Sequence, residues 1–156
     1  MPQDKVTVVA ETAPESVLVY APWRGEYFAN DSLAGEPALV REDQDIDFDW
    51  GEGAPDAALP ADSFSIRWMC ALHFDEGEYI FHALADDGVR LFVDGQPLID
   101  RWVKQETNES TGQVHLTEGK HALTLEFFEA YGDALAKLWW EEVRATDILS
   151  GPGPTR

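Results

Sequence analysis

The chain has 156 residues, of which 30 are acidic and 11 are basic, so its formal net charge is −19. This charge argues against non-specific binding to nucleic acid, which requires Lys and Arg to displace counterions from phosphates, and against docking on an anionic membrane surface. No apolar run reaches the length of a membrane span, so we predict no membrane insertion. The acidic surface is also typical of proteins from a high-salt, halophilic environment.

The two ends of the chain differ from its middle. Residues 1–22 contain short alternating valine stretches interrupted by proline, and we interpret them as an N-terminal arm. Residues 143–156 finish in a Gly- and Pro-rich stretch, which is typical of a tail or linker. A single domain is therefore expected over residues 23–142, with terminal arms that could contact protein partners in a surface assembly.

Almost every segment between these ends alternates apolar and polar residues with period two. Phe64, Ile66 and Trp68, for example, share one face of a predicted strand. Asp94-Gly95 is a strong signal for a tight β-hairpin, and no convincing helical pattern is present. The sequence predicts an all-β fold, a β-sandwich of two antiparallel sheets.

Asp86-Asp87-Gly88 is the first candidate site. In a trans backbone the two neighbouring carboxylates would point to opposite faces, whereas a cis peptide would bring both to one ion such as Ca²⁺. The alternative is an Asp-Gly turn between two strands, with one Asp capping backbone groups. The spacing alone favours the turn.

A later loop, residues 129–134, could complete such a site. Asp133 would add a third carboxylate and Tyr131 a backbone carbonyl. Carboxylates, carbonyls and water are the ligands that Ca²⁺ prefers in proteins.

Catalytic motifs are missing from the sequence. The four histidines show no metal-ligand spacing, and neither a nucleophile elbow nor a phosphate-binding glycine loop is present. We therefore expect a binding protein and not an enzyme. Met1 is followed by no signal-peptide pattern, whereas two N-glycosylation sequons favour an extracellular or particle-surface location.

Several motifs occur in an order that resembles a known domain family. They are residues 23–30 (WRGEYFAN), 46–55 (IDFDWGEGAP), 64–68 (FSIRW), 77–81 (GEYIF), 86–95 (DDGVRLFVDG) and 138–140 (LWW). Together they resemble the PA14 domain family, which is named after the N-terminal fragment of anthrax-toxin protective antigen. The resemblance covers roughly residues 23 to 142.

The resemblance implies a lectin-like sandwich in which an Asp-Asp pair joined by a cis peptide holds Ca²⁺, and sugar hydroxyls complete the coordination of the ion. Asp86 and Asp87 match that pair, and Gly132-Asp133 matches a Gly-Asp in the late loop of bacterial adhesins. The asparagine ligand of the flocculins is absent. Tyr131 and Trp102 are candidates to stack on the sugar.

The leading hypothesis is therefore a Ca²⁺-dependent carbohydrate-binding or adhesion module that recognises cell-surface or extracellular glycans. One alternative is a structural spike or decoration protein on the surface of a larger particle, such as a virion from a high-salt environment. A second alternative is an accessory domain of a glycoside-active enzyme, which predicts a longer native chain.

Overall fold

The computed structural model describes residues 23–143, which form ten β-strands and contain no helix that could cross a membrane. The arm assigned to residues 1–22 and the tail beyond residue 143 lie outside the described residues. The strands are β1 (Trp23–Phe28), β2 (Leu39–Asp43), β3 (Asp47–Gly51), β4 (Phe64–Phe74), β5 (Gly77–Asp86), β6 (Gly88–Val93), β7 (Gln96–Arg101), β8 (Asn108–Leu116), β9 (Gly119–Glu129) and β10 (Ala134–Val143).

The strands form two antiparallel sheets that pack face to face. One sheet has six strands in the order β2-β1-β4-β9-β6-β7, and the other has four in the order β3-β10-β5-β8. Every pair of neighbouring strands is antiparallel. The predicted all-β sandwich is confirmed.

The core lies between the sheets and is rich in aromatic rings. On β4 the predicted inward residues Phe64, Ile66 and Trp68 are completely buried. The Trp68 ring lies 6.4 Å from that of Phe127 on β9, centroid to centroid. Full burial of each large apolar side chain contributes about 1.5–3 kcal/mol, so the period-two pattern holds the two sheets together.

The hairpin predicted at Asp94-Gly95 joins β6 to β7. Both turn residues have positive φ angles, 52° for Asp94 and 83° for Gly95, as a type I′ turn requires. Val93 and Gln96 pair directly across this turn, which confirms the hairpin.

The connections between strands collect at two opposite ends of the sandwich. At the end we call the upper end, Asp87 joins β5 to β6 and residues 130–133 join β9 to β10. At the end we call the lower end there are three two-residue turns. The turn at 94–95 closes the β6–β7 hairpin, whereas the turns at 75–76 and 117–118 carry the chain from one sheet to the other. The upper end therefore contains the acidic residues singled out in the sequence.

Candidate functional site

Asp86 and Asp87 lie at the upper end, where β5 gives way to β6. The peptide bond between them is cis. One carboxylate oxygen from each of Asp86, Asp87 and Glu129, the last residue of β9, lies within 4.8 Å of the other two. Three acids from two adjoining strand ends therefore converge on one point.

Asp87 is the structural centre of this end. Its side chain is nearly inaccessible, with 6% exposure. One carboxylate oxygen accepts the backbone N–H of Gln105 at 3.0 Å, and the other accepts that of Ala130 at 2.9 Å. The Gln105 side chain also donates to the Asp87 carbonyl oxygen at 2.8 Å. Because hydrogen bonds to a charged acceptor are strong, Asp87 fixes two loops at once.

Glu129 is completely buried, and among the described residues no side chain or backbone N–H donates to its carboxyl oxygens, which face the carboxylate of Asp87. Burial raises the pKa of this carboxyl to about 9, and the negative charge of Asp87 adds to the effect. Glu129 is therefore protonated at neutral pH in the metal-free protein. A buried carboxyl without a donor is costly, and a cation at this point would satisfy it.

Asp86 is partly accessible and opens toward solvent. Burial raises the pKa of its carboxyl, and the charges of Asp87 and Asp133 raise it further. Thr107 lies beside it, with 3.5 Å between the Thr107 hydroxyl and an Asp86 carboxylate oxygen. The Asp86 carboxyl group is therefore accessible to a ligand that enters the cleft from solvent.

A cleft of about 660 Å³ opens over these acids. It is lined by Asp86, Asp87, Lys104, Gln105, Glu106, Thr107, Tyr131, Gly132 and Asp133. Five of these residues were predicted from the sequence, and the other four belong to one segment, residues 104–107, that the sequence analysis missed.

The loop at residues 130–133 forms one wall of the cleft. Gly132 has a positive φ of 91°, and its N–H donates to Asp62 at 3.2 Å. The Ala130 carbonyl accepts the Ser63 N–H at 3.0 Å. Held in this way, the loop leaves the ring of Tyr131 68% exposed.

Lys104 contributes a positive charge to this acidic cleft. Its ammonium nitrogen lies 5.6 Å from the centre of the Tyr131 ring. The two side chains together form a partly aromatic, hydrogen-bonding rim beside the carboxylates.

Trp102 does not line the cleft. The Arg90 guanidinium lies 3.8 Å from its ring centroid, and the ring of Phe128 packs 4.8 Å away. Arg90 is itself held by two hydrogen bonds to Glu126. These contacts occupy Trp102, so Tyr131 is the better placed of the two aromatic candidates.

Two kinds of residue were missed by sequence reasoning. The segment 104–107 carries no alternation or motif, and only its hydrogen bonds to Asp87 bring it to the site. Glu129 did leave a signal, because it continues the inward positions of Leu125 and Phe127 on β9. An acid at an inward position of a strand indicates a buried functional group.

Comparison with known proteins agrees with this geometry. The family model described as "PA14 domain" matches residues 23–152. A curated relative, the anti-sigma-I factor RsgI3 of Acetivibrio thermocellus, is 42% identical in an alignment 140 residues long that covers 84% of this chain and 22% of the relative.

Two solved structures have the same fold. An anti-sigma factor domain-containing protein is 40% identical with a TM-score of 0.75, over 78% of this chain and 43% of that one. A domain from an RTX adhesin is 21% identical with a TM-score of 0.67, over 78% of this chain and 90% of that one. This chain therefore spans about a fifth of the curated relative and under half of the first solved one.

Proposed function

The chain belongs to the PA14 domain family, and on that premise we propose that it is a Ca²⁺-dependent carbohydrate-binding module. The observation that carries the proposal is the convergence of Asp86, Asp87 and Glu129 within 4.8 Å, with Asp86 and Asp87 lining an open cleft. A binding role agrees with the absence of a catalytic motif noted in the sequence.

The donor set suits a hard cation. All three converging side chains offer oxygen, the ligand atom that Ca²⁺ prefers. Two oxygens bound to one Ca²⁺ at about 2.5 Å each lie at most about 5 Å apart, which the group of Asp86, Asp87 and Glu129 satisfies. We assign Asp133 and the backbone carbonyl of Tyr131 as further ligands from the cleft wall.

Sugar recognition would use the open side of the cleft. A bound Ca²⁺ supplies coordination positions that a pair of sugar hydroxyls can fill. The exposed Tyr131 ring offers a flat apolar surface for a pyranose face, while Lys104 and Thr107 offer hydrogen-bond donors. The RTX adhesin domain of the same fold is described as sugar-binding, which supports a carbohydrate ligand.

The relatives also suggest in what kind of larger protein this module occurs. The curated relative is an anti-sigma-I factor and the 40% identical structure is an anti-sigma factor domain-containing protein, and each extends well beyond the matched region. We therefore propose that this domain is the glycan-sensing part of a longer signalling protein, exposed outside the cell. This setting is favoured over a particle decoration or an enzyme's accessory domain because it follows from the more similar relatives.

The experiment is a pair of binding measurements. Ca²⁺ titration by calorimetry is followed by a glycan array, with and without chelator. The variant carries Asp86→Asn and Asp87→Asn, and the control is Asp100→Asn, an exposed acid on β7. We expect the variant to lose Ca²⁺ and glycan binding together, and the control to keep both. Glycan binding that persists in chelator would refute the calcium mechanism.

A further inference from the structure

We infer that His73, Asp75 and Glu118, at the lower end of the sandwich, form a second metal site that takes a divalent transition-metal ion such as Zn²⁺. One imidazole and two carboxylates offer ligand atoms that all lie within 4.8 Å of one another. This site is separate from the upper cleft. β5, which runs from one end to the other, has 10 residues and spans about 30 Å.

Strand pairing brings the three residues together. His73 is the penultimate residue of β4, and Asp75 lies in the turn that leads to β5. Glu118 lies in the turn between β8 and β9. Because Phe74 pairs with Gly119, the two turns are neighbours at the same edge of the sandwich.

The distances fit a tetrahedral ion. The His73 Nε2 atom lies 3.3 Å from an oxygen of Glu118 and 3.8 Å from an oxygen of Asp75. Two ligands bound to Zn²⁺ at about 2.0 Å lie about 3.3 Å apart in a tetrahedron. The Glu118 distance matches that value, and the Asp75 distance exceeds it by about 0.5 Å. The ligand oxygens of Asp75 and Glu118 lie within 4.8 Å of each other, so a bound ion would draw these two exposed side chains together.

One ring nitrogen therefore faces two carboxylates from different turns. His115, also at the lower end, has a different arrangement. Its Nδ1 atom faces Glu78 at 2.8 Å, and its Nε2 atom faces Glu76 at 3.3 Å. Opposite nitrogens of one ring cannot bind the same ion, so His115 is an ion-paired histidine and a natural control.

The charges at the lower end favour a cation. Among the described residues, Asp75 and Glu118 have no ion pair other than the one to His73, whereas Glu126 and Asp43 are each paired with arginine. The net charge of the chain is −19. Divalent cations are therefore attracted to the surface, and the His73 group offers them a defined set of ligands.

The ligand types indicate the class of metal. An imidazole with two carboxylates suits Zn²⁺ and its neighbours in the transition series, whereas Ca²⁺ prefers oxygen alone. Three protein ligands leave a position open for water or for a side chain of a partner. Ligand spacing along the chain could not reveal this site, because Glu118 is 45 residues away from His73 and joins it only through the β4–β9 pairing.

The test is calorimetric titration of the full chain with ZnCl₂ at pH 7, after removal of metals by chelator. We compare the native protein with His73→Ala, with Glu118→Gln and with the control His115→Ala. Excess CaCl₂ is present throughout, so that the carboxylates of the upper cleft are occupied and Zn²⁺ uptake reports on the lower end. Circular dichroism checks that each variant is folded, and Co²⁺, whose visible spectrum reports on its ligands, serves as a second probe.

With Ca²⁺ present we expect one Zn²⁺ per chain, at least about tenfold weaker binding after loss of His73 or Glu118, and unchanged binding in the His115 variant. Equal losses in the His73 and His115 variants would instead mean diffuse attraction to the acidic surface, and would overturn the assignment. So would native protein that takes up no Zn²⁺, or a His73 variant that binds Zn²⁺ as tightly as the native chain.

Discussion

The buried carboxyl of Glu129 makes the stability of the metal-free protein depend on pH. Its pKa is raised from 4.5 to about 9, so between these values the folded state holds a proton that the unfolded state releases. The free energy of unfolding therefore falls as pH rises through this window. The fall is fully developed near pH 9, where the folded carboxyl also ionises, and the contribution is constant above that.

The magnitude follows from proton linkage. One proton held only by the folded state changes the free energy of unfolding by about 1.4 kcal/mol per pH unit. Between pH 6 and pH 8 the protein should lose about 2–3 kcal/mol. For a domain of this size, such a loss lowers the melting temperature by roughly 5–10 °C.

Urea denaturation in EDTA at several pH values measures this effect. The variant Glu129→Gln keeps the shape of the side chain but cannot titrate, and Glu36→Gln, at an exposed position, is the control. The native protein and the control should lose stability with rising pH more steeply than Glu129→Gln. Parallel curves for all three proteins would show that Glu129 is ionised at neutral pH and would refute the reasoning.

Three further results are expected. Asp87→Ala should cost about 2–3 kcal/mol, because it leaves the backbone N–H groups of Gln105 and Ala130 without an acceptor; hydrogen exchange should rise at these two amides and stay unchanged in the β6–β7 hairpin. Replacing the fully buried Phe81 by alanine should cost about 3–5 kcal/mol in chemical denaturation, and a cost below 1 kcal/mol would contradict the packing described. The pKa of His115 is raised by its hydrogen bond to Glu78, so an NMR titration should show it falling in Glu78→Gln; an unchanged pKa would exclude that hydrogen bond in solution.

The strands and the hairpin turn were predictable because the residues that specify them are close together in the sequence. Alternation at Phe64, Ile66 and Trp68 assigns an inward face without reference to any other strand, and Asp94-Gly95 specifies its own turn. The order of the strands in the sheets has no such local signal. The strand order was not predicted, and it is seen only in the pairing of the structure.

The site was predictable in part, for the same physical reason. Asp86, Asp87 and Asp133 stand at strand ends, where acidic residues are conspicuous. The segment 104–107 is placed by hydrogen bonds that Gln105 donates to Asp87. These contacts join separate stretches of the chain and leave no pattern in either one. Trp102 was a reasonable candidate by type, but the alternation pattern does not show that its ring packs against Arg90 across the β6–β7 hairpin.

The direction of β10 determines where a following segment of the chain is attached relative to the cleft. This strand starts at Ala134, beside the cleft, and ends at Val143, which pairs with Glu78 near the lower turns. Ten residues of extended chain carry the backbone about 30 Å away from the cleft. Any segment that follows Val143 is therefore attached at the lower end of the sandwich, and the cleft at the upper end opens away from that attachment. A large, branched or surface-bound polymer can approach the cleft without colliding with a segment attached after Val143.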